Sequence, residues 1–346
     1  MPKKILFVAN AASIHTVKWA DYFVNKGYEV YLATFSEENR TACKNIYFLG
    51  GKGTNQAGGN YHYLLAVSKL AKILKEIKPQ SINAHYSYSM GFVALLAKKK
   101  AKIKTKFSVV CHGSDVLYPP APFLVDRINR YVLNRADKVF AVSDEIKEKI
   151  ESLGVDPEKV WMGQYGIEIE KEETIKDIDI ISNRAYSSHS RIEFLLDTLA
   201  ELKERKLKIL FILPQIEDDR YRSLVKRYPF VDFHKEVAHE KMLNLVARSK
   251  IYISATQSDG TALSLLESMC LGAVPLISNI PSNRSWIVDG LNGYLFDTKE
   301  SFISKMDNLL NMNESRYDEI QALNHRLIRY RADYRTQMQK IEMQVL

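Results

Sequence analysis

Two acidic residues in the second half of the chain are spaced so that both could bind hydroxyl groups of one ligand. Asp259 lies in a polar turn after the apolar run IYISA, and Glu267 follows eight positions later in a segment with apolar residues at helical spacing. A strand that runs directly into a helix directs free backbone N–H groups at any anion above the helix. Carboxylates beside such an anion site predict a ligand that carries both hydroxyls and phosphate. The residues at this predicted junction are Gly260, Thr261, Ala262 and Leu263.

The segment D259-GTALSLL-E267 resembles the acidic pair of family 4 retaining glycosyltransferases of the GT-B fold. The family pattern is usually Glu-Gly-Phe-Gly, four residues, Glu. Here Asp259 stands at the first acid, and Ala262 at the glycine three positions later. Ile280–Phe296, IPSNRSWIVDGLNGYLF, resembles the Pro-x-Asn-Arg-x-Trp-Ile and Asp-Gly-x-Asn-Gly segments of bacterial and archaeal members. The two motifs occur in the family's order, and the resemblance extends over essentially the whole chain.

The resemblance implies transfer of a sugar, with retention at the anomeric carbon, from a nucleotide-diphosphate sugar. A UDP-sugar is favoured as donor, with a GDP-sugar as the second choice, and neither metal nor cofactor is expected. The acceptor would be a saccharide or a lipid-linked molecule in surface polysaccharide or glycolipid assembly. Glu267 is expected to hold the ribose hydroxyls and Asp259 the sugar hydroxyls, while the N–H groups of residues 260–263 receive sugar or phosphate.

The resemblance also implies a phosphate site. Relatives place an arginine where Arg184 stands and a lysine about five residues later, and both neutralise the diphosphate. His189 occupies the place of the lysine and Arg191 is the nearest permanent cation, so the residue that replaces the lysine stays open. An arginine grips phosphate oxygens in pairs, whereas a histidine near neutral pH carries only part of a charge. Pro214 and Val237, at the ends of later strands, are expected beside the nucleotide base.

Polar residues also follow the predicted strands of the first half, where open α/β sheets bind ligands. His112 follows the apolar run FSVVC, and the resemblance implies that it contacts the transferred sugar, with a purely structural histidine as the alternative. Ser13 belongs to a group of small residues that permit close approach of a donor after the first strand. The candidates for the acceptor side are His15, His85, Tyr86 and Asp115. A capping or solvent-facing role is the alternative for His15.

Apolar runs alternate with helical segments throughout, which predicts an α/β protein with two Rossmann-like doubly wound domains. A charged stretch without periodicity at about 166–177 indicates the boundary between them. We therefore expect an N-terminal acceptor-side domain at 1–168 and a nucleotide-sugar-binding domain at 178–320. The resemblance implies that the domains face each other across a cleft and that a C-terminal helix, 321–346, packs back on the first domain. The glycine-rich segment 50–60 predicts a loop, either over the cleft or as an ordinary connection.

The composition is that of a soluble globular protein, with 346 residues, 46% hydrophobic and 26% charged. No apolar run approaches the roughly 18 residues that span a bilayer, and no signal peptide is evident. Three cysteines without metal spacing favour a reducing, cytoplasmic compartment. The net charge of +8 is concentrated in part at Lys98–Lys106. Because no nucleic-acid module is recognisable, an anionic surface on the inner face of the plasma membrane is the expected partner of these lysines, with a solvated helix end as the alternative.

Two other functions stay open. A GT-B nucleotide-sugar epimerase would convert the donor without any acceptor. A non-catalytic scaffold subunit would bind the nucleotide sugar and transfer nothing, and the departures at Asp259 and Ala262 fit such a protein.

Overall fold

The computed structural model describes residues 2–50, 61–117, 119, 121–168 and 174–346, and the side chains of 61 and 62 are not part of the description. The glycine-rich loop predicted at 50–60 therefore lies outside the described residues except for Gly50. The chain forms two compact units. Unit 1 comprises Met1–Tyr165 together with Arg335–Leu346, and unit 2 comprises Gly166–Tyr334.

Unit 1 is built on seven strands with short helices between them. The strands are β1 (Lys4–Val8), β2 (Glu29–Thr34), β3 (Asn45–Phe48), β4 (Ser81–His85), β5 (Lys106–Cys111), β6 (Lys138–Ala141) and β7 (Val160–Met162). The helices are α1 (Ile14–Asn25), α2 (Ala66–Ile77), α3 (Phe92–Ala101), α4 (Pro122–Leu133) and α5 (Asp144–Ser152). Single turns of 3-10 or π type occupy Tyr61–Leu65, Ser87–Gly91 and Pro157–Lys159. The strands form one parallel sheet in the order β3-β2-β1-β4-β5-β6-β7.

Unit 2 repeats this architecture with six strands. The strands are β8 (Ile178–Ser182), β9 (Ile209–Ile212), β10 (Val231–His234), β11 (Ser249–Ser254), β12 (Val274–Ser278) and β13 (Tyr294–Phe296). The helices are α6 (Ile192–Leu199), α7 (Asp218–Arg227), α8 (His239–Ala247), α9 (Leu263–Cys270), α10 (Pro281–Arg284), α11 (Lys299–Leu310) and α12 (Glu314–Arg331). The 3-10 turns are Ser188–Ser190 and Ala200–Arg205. The parallel sheet has the order β10-β9-β8-β11-β12-β13.

Local sequence signals account for many element boundaries. The central strands are buried along their length because helices cover both faces of a parallel sheet, and continuous apolar runs such as KILFV and VPLIS fill that interior. Ser143 caps α5, since its Oγ accepts a hydrogen bond from the Ile146 N–H at 3.4 Å. Gly272, at φ +80°, provides the left-handed residue that ends α9 and starts the return to β12.

The strand orders place a switch point in each sheet. In both sheets the chain first adds strands to one side of the initial strand and then continues on the other side, so that β1 and β4, and β8 and β11, become neighbours. The connections leaving these neighbours diverge and open a crevice at the carboxyl ends of the strands, where doubly wound sheets bind ligands. The residues that follow β1, β4, β8 and β11 are therefore the ones positioned for chemistry.

The C-terminal region differs from the single helix expected at 321–346. Helix α12 begins at Glu314 and ends at Arg331, and a second helix, α13, spans Tyr334–Val345. The break arises because the backbone at Ala332 accepts a hydrogen bond from the Ile167 N–H at 2.8 Å, and Tyr334 N–H donates to Ile167 O at 3.1 Å. Gly166 permits this close approach, since a Cβ there would lie 2.2 Å from Ala332 O.

Candidate functional site

The two charged residues that follow β8 and β11 meet at the switch point of unit 2. Arg184 Nη2 donates to Asp259 Oδ2 at 2.6 Å, and each side chain is about one-fifth exposed (20% and 20%). Burial disfavours the charged guanidinium, yet Tyr252 and Asp259 outweigh this effect and raise the pKa of Arg184 above its usual value. The sequence predicted separate ligand contacts for Arg184 and Asp259, and the structure pairs them with each other.

Ser264 and Tyr252 form a second set of contacts around Arg184. Its Nη1 donates to Ser264 Oγ at 3.2 Å, and Ser264 Oγ lies 2.9 Å from the hydroxyl of Tyr252, which is fully buried in β11. A charged side chain with several fixed partners needs little reorganisation when an anion arrives, which is the condition for electrostatic stabilisation of developing charge. Neither Ser264 nor Tyr252 was predicted as a site residue.

Glu267 lies about one turn inside α9, because the helix begins at Leu263. The residue is 8% exposed, and its Oε1 lies 3.1 Å from His239 Nε2 at the first position of α8. A nearly buried carboxylate with one hydrogen-bonding neighbour retains accepting capacity for further donors such as hydroxyls. His239 was not predicted, although a histidine that opens a helix just after a strand end is a signal the sequence does contain.

The backbone between Asp259 and α9 provides donors. Among the described residues, the N–H groups of Gly260, Ala262 and Leu263 donate no hydrogen bond, as expected at the start of a helix. These residues and Thr261 are partly exposed, and Thr261 Oγ1 donates to Gly260 O at 2.8 Å. The junction thus presents free N–H groups beside Arg184, an arrangement suited to an anion.

The remaining predicted donor residues of unit 2 follow β8, β9 and β10 along the chain. His189 is exposed in the turn before α6, and its carbonyl accepts from the Gln257 N–H at 3.0 Å. Arg191 has its guanidinium carbon 4.1 Å from the centre of the Phe194 ring. Pro214 lies two residues beyond β9 and Val237 three beyond β10, both partly buried. The structure therefore adds no contact that would decide which cation replaces the family's lysine.

In unit 1 the structure gathers three of the predicted histidines at the carboxyl ends of β1, β4 and β5. His112 Nε2 lies 3.2 Å from His85 Nδ1, and the His112 ring is 4.7 Å, centre to centre, from His15 on one side and from Tyr86 on another. Burial, together with His15, lowers the pKa of His85 to about 3. Burial and both neighbouring histidines hold the pKa of His112 well below its usual value. His112 is partly exposed and uncharged at neutral pH, which allows it to donate or accept a hydrogen bond.

Two predicted acceptor-side residues need correction because the structure buries them. His85 is 1% exposed and packs edge-on against Trp19, so it supports His112 from within the core. Asp115 is fully buried, and its carboxylate accepts from the backbone N–H groups of Ser87 (2.8 Å), His112 (3.0 Å) and Gly113 (3.1 Å). These bonds shape the turn that carries His112, and both His85 and Asp115 are buried where an acceptor-side residue was expected at the surface.

The other two acceptor-side candidates and Ser13 remain at the surface of this edge. His15 Nδ1 lies 2.8 Å from the Tyr165 hydroxyl, and the residue is partly exposed. Tyr86 is also partly exposed, and its backbone has a φ of +70°. Ser13 precedes α1, partly buried, without a side-chain cap to the helix. Within the described residues, no group of three or more His, Cys, Asp or Glu side chains is arranged to hold a metal ion.

Two doubly wound parallel sheets, each with candidate site residues near its switch point, are typical of the GT-B class of fold. A crystal structure of Anabaena HepE in complex with UDP has this fold, with a TM-score of 0.78, 16% identity and 98% of both chains covered. The same protein was solved with UDP-glucose and with UDP and glucose. At this identity the similarity establishes the fold.

Family comparisons identify the chain more narrowly. Residues 4–143 match the Glycosyl transferase 4-like family, and residues 167–326 match Glycosyl transferases group 1. The protein belongs to the GT-B glycosyltransferases of the family 4 type. The family resemblance and the fold class that the sequence indicated are therefore confirmed.

Curated relatives are distant. The uncharacterized glycosyltransferase MJ1069 of Methanocaldococcus jannaschii is 28% identical over 230 residues, or 60% of this chain and 58% of that protein. The putative colanic acid biosynthesis glycosyltransferase WcaL of Salmonella typhimurium is 21% identical over 280 residues, covering 73% of this chain and 68% of that protein. The chain thus spans less than two thirds of the first of these relatives.

Proposed function

We propose that the protein transfers a sugar from a UDP-sugar to a saccharide or lipid-linked acceptor, with retention at the anomeric carbon. The observation that carries this proposal is the Arg184–Asp259 pair beside the free N–H groups at the start of α9, at the switch point of unit 2. HepE, which shares the fold, was solved with UDP and UDP-glucose, and this supports a UDP-sugar over a GDP-sugar.

Each residue of unit 2 has a proposed role on the donor. Glu267 accepts hydrogen bonds from the ribose hydroxyls, because its carboxylate is nearly buried and has capacity beyond His239. The free N–H groups of Gly260, Ala262 and Leu263 bind diphosphate or sugar. Arg184 binds the diphosphate, and Asp259, which pairs with Arg184, accepts from sugar hydroxyls. In unit 1, His112 is uncharged and partly exposed, and we assign it a hydrogen bond to the transferred sugar.

The proposed reaction breaks the bond between the anomeric carbon and the diphosphate oxygen and forms a bond to the acceptor oxygen on the same face. Negative charge grows on the departing diphosphate, and Arg184 with the helix N–H groups stabilises it because they are already in place. The acceptor hydroxyl loses its proton to an oxygen of the leaving diphosphate. This route requires neither a separate protein base nor a metal, so we expect activity in the presence of a chelator.

The proposed acceptor and location follow from the name of one relative and from the charge of the chain. WcaL is named for colanic acid biosynthesis, which supports a role in polysaccharide or glycolipid assembly. We propose a cytoplasmic protein attached peripherally to the inner face of the plasma membrane through the lysines of 98–106. None of the described helices is long and apolar enough to cross a membrane.

Thermal stabilisation by candidate donors tests the proposal first. A ligand that binds only the folded state raises the melting temperature as its concentration exceeds its Kd. UDP-, GDP-, ADP- and CMP-sugars are compared, and a UDP-sugar is expected to stabilise the wild type and not Glu267→Ala. Glu240→Ala, a change of an exposed acid in α8, serves as the matched control.

Turnover then separates transfer from the alternatives. Release of UDP that depends on an added saccharide or lipid-linked acceptor supports transfer. Conversion of the sugar without acceptor would indicate an epimerase, and binding without conversion under any acceptor would indicate a scaffold.

A further inference from the structure

One side of α4 combines exposed apolar side chains with arginines. Phe123 and Leu124, in the first turn, are 80% and 59% exposed. Arg127 and Arg130 are also exposed and follow Phe123 at spacings of four and seven, so they lie on its side of the helix. The opposite side of α4 is buried in unit 1.

Two arginines of this region, Arg127 and Arg135, lie over aromatic rings. The guanidinium carbon of Arg127 lies 5.9 Å from the centre of the Phe123 ring. The guanidinium carbon of Arg135, just after the helix, lies 4.1 Å from the centre of the Tyr131 ring. Considering the described residues, Arg127, Arg130 and Arg135 form no ion pair with an acid. Their charge is therefore available to an external anion.

Two acids of this part of the chain, Asp126 and Asp137, have other partners. Asp126 in α4 pairs with Lys149 at 2.8 Å, and Asp137 accepts from the Phe107 N–H at 2.7 Å. Another cation adds to the same region, because Lys99 of α3 donates to the Tyr131 hydroxyl at 2.6 Å. A shallow depression of about 380 Å³ lies among these side chains and is large enough for a phosphate group. It is lined by Arg127, Arg130, Tyr131, Asn134 and Arg135.

We propose that this surface, the α4 face, formed by Phe123, Leu124, Arg127, Arg130 and Arg135, docks the protein on an anionic lipid bilayer. Helices that lie in a membrane interface carry basic residues together with Phe and Leu, since the apolar side chains enter the acyl boundary while the cations bind headgroups. Anionic lipids attract such cations near the surface. A soluble anion would satisfy the arginines but would leave Phe123 and Leu124 in water.

This docking surface rests on the membrane attachment proposed above, but it lies on α4 and not on the lysines of 98–106. Two of these lysines have partners within the protein. Lys98 Nζ lies 3.8 Å from Asp137 Oδ2, and Lys100 Nζ donates to Ser68 Oγ at 2.8 Å. Lys102 and Lys104 are exposed and have no partner among the described residues, but no exposed large apolar side chain accompanies them.

The α4 face is also connected to the turn that carries His112. Asn129, on the buried side of α4, donates to Asp115 O at 2.8 Å, and the Asp115 carboxylate accepts from the His112 N–H. The start of α4, with Phe123 and Leu124, follows this turn at the carboxyl edge of the sheet. Docking through α4 would hold that edge of unit 1 at the lipid surface, where a lipid-linked acceptor is anchored.

Cosedimentation of the full chain with vesicles tests the proposal. Vesicles of phosphatidylcholine alone are compared with vesicles that contain about 30% phosphatidylglycerol. The wild type is expected to bind only the anionic vesicles. Arg127→Gln/Arg130→Gln should weaken this binding about 30-fold, since each cation near an anionic surface contributes about a factor of five. Phe123→Ser/Leu124→Ser should weaken binding at least about tenfold and should leave the residual binding more sensitive to salt.

Two control variants sharpen the result. Lys203→Gln/Lys226→Gln removes the same charge from exposed positions of unit 2 and should bind like the wild type. Lys102→Gln/Lys104→Gln should weaken binding less than the α4 variants. The assignment to α4 would be overturned if Arg127→Gln/Arg130→Gln bound anionic vesicles as tightly as the wild type, or if Lys102→Gln/Lys104→Gln lost more affinity. It would also be overturned if the wild type did not bind anionic vesicles. The melting shift with a UDP-sugar, measured on every variant, reports separately on the donor site and the fold.

Discussion

Replacing Glu267 by glutamine changes the charge of a nearly buried side chain while keeping its size. The side chain is 10% exposed and its Oε1 lies 3.1 Å from His239 Nε2. As a carboxylate it can accept from both ribose hydroxyls, whereas glutamine offers one oxygen and turns the other atom into a donor. At least one hydrogen bond to a charged group is then lost, which costs about 1.5–3 kcal/mol. The Kd of a uridine nucleotide should rise by about 10- to 150-fold.

Isothermal titration calorimetry with UMP and UDP makes the test specific. Both nucleotides carry the ribose, so Glu267→Gln should weaken both by the same factor. Arg184→Gln should weaken UDP more than UMP, because the β-phosphate is the group that only UDP brings to the guanidinium. The two variants therefore separate the ribose contact from the diphosphate contact within one ligand pair.

Glu240→Gln is the matched control, since it neutralises an exposed acid of α8 in the same unit. It should bind both nucleotides as the wild type does. A folded Glu267→Gln protein with unchanged Kd values for UMP and UDP would refute the ribose assignment. A loss confined to UDP would place Glu267 near the phosphates and would reverse the roles proposed for Glu267 and Arg184.

Three further predictions concern stability and metal. Burial holds the pKa of His85 at about 3 and lowers the pKa of His112. Below about pH 6.5 the unfolded chain therefore binds two protons that the folded chain does not. In urea titrations the free energy of unfolding should fall on acidification by up to about 2.7 kcal/mol per pH unit. Gly166→Ala should lower the free energy of unfolding by at least about 2 kcal/mol, since the new Cβ would meet Ala332 O at 2.2 Å and φ is +83°. Gly290→Ala, at φ +77° with open space, should cost about 1 kcal/mol. Excess EDTA should leave the rate of UDP release unchanged.

Each of these has a contrary outcome. A pH slope that persists unchanged in His85→Asn/His112→Asn would assign the acid sensitivity to other groups. Equal losses for the two glycine variants would show that left-handed backbone strain, and not the close approach of Ala332, dominates at Gly166. Inactivation by EDTA with recovery on adding a divalent cation would overturn the metal-free mechanism.

The sequence predicted the alternation of strands and helices well, because it depends on local patterns. Runs such as ILFVAN and AVPLIS are apolar enough to be buried on both faces of a parallel sheet. Strand β12 falls within the second run, and β1 overlaps the first but begins one residue before it, at Lys4. The break between α12 and α13 was not predicted, since its cause is a contact between Ile167 and Ala332, residues 165 positions apart whose pairing no local pattern indicates.

The candidate site shows the same division. The chain itself indicated Arg184, Asp259 and Glu267, because charged residues that follow buried strands are positioned at the ligand-binding edge of a sheet. It could not indicate that Arg184 pairs with Asp259, or that Ser264 supports Arg184, since these contacts exist only once β8 and β11 are neighbours.

In unit 1 the sequence determined which residue types reach the carboxyl ends of the strands, and the tertiary structure decided which of them remain accessible. Four residues were assigned alike to the acceptor side from their strand-end positions. Folding buried His85 and Asp115 beneath His112, whereas His15 and Tyr86 stayed partly exposed. Position along the chain fixes the edge of the sheet at which a side chain stands. Its exposure depends on the helices and turns that pack over that edge, and these come from distant parts of the sequence.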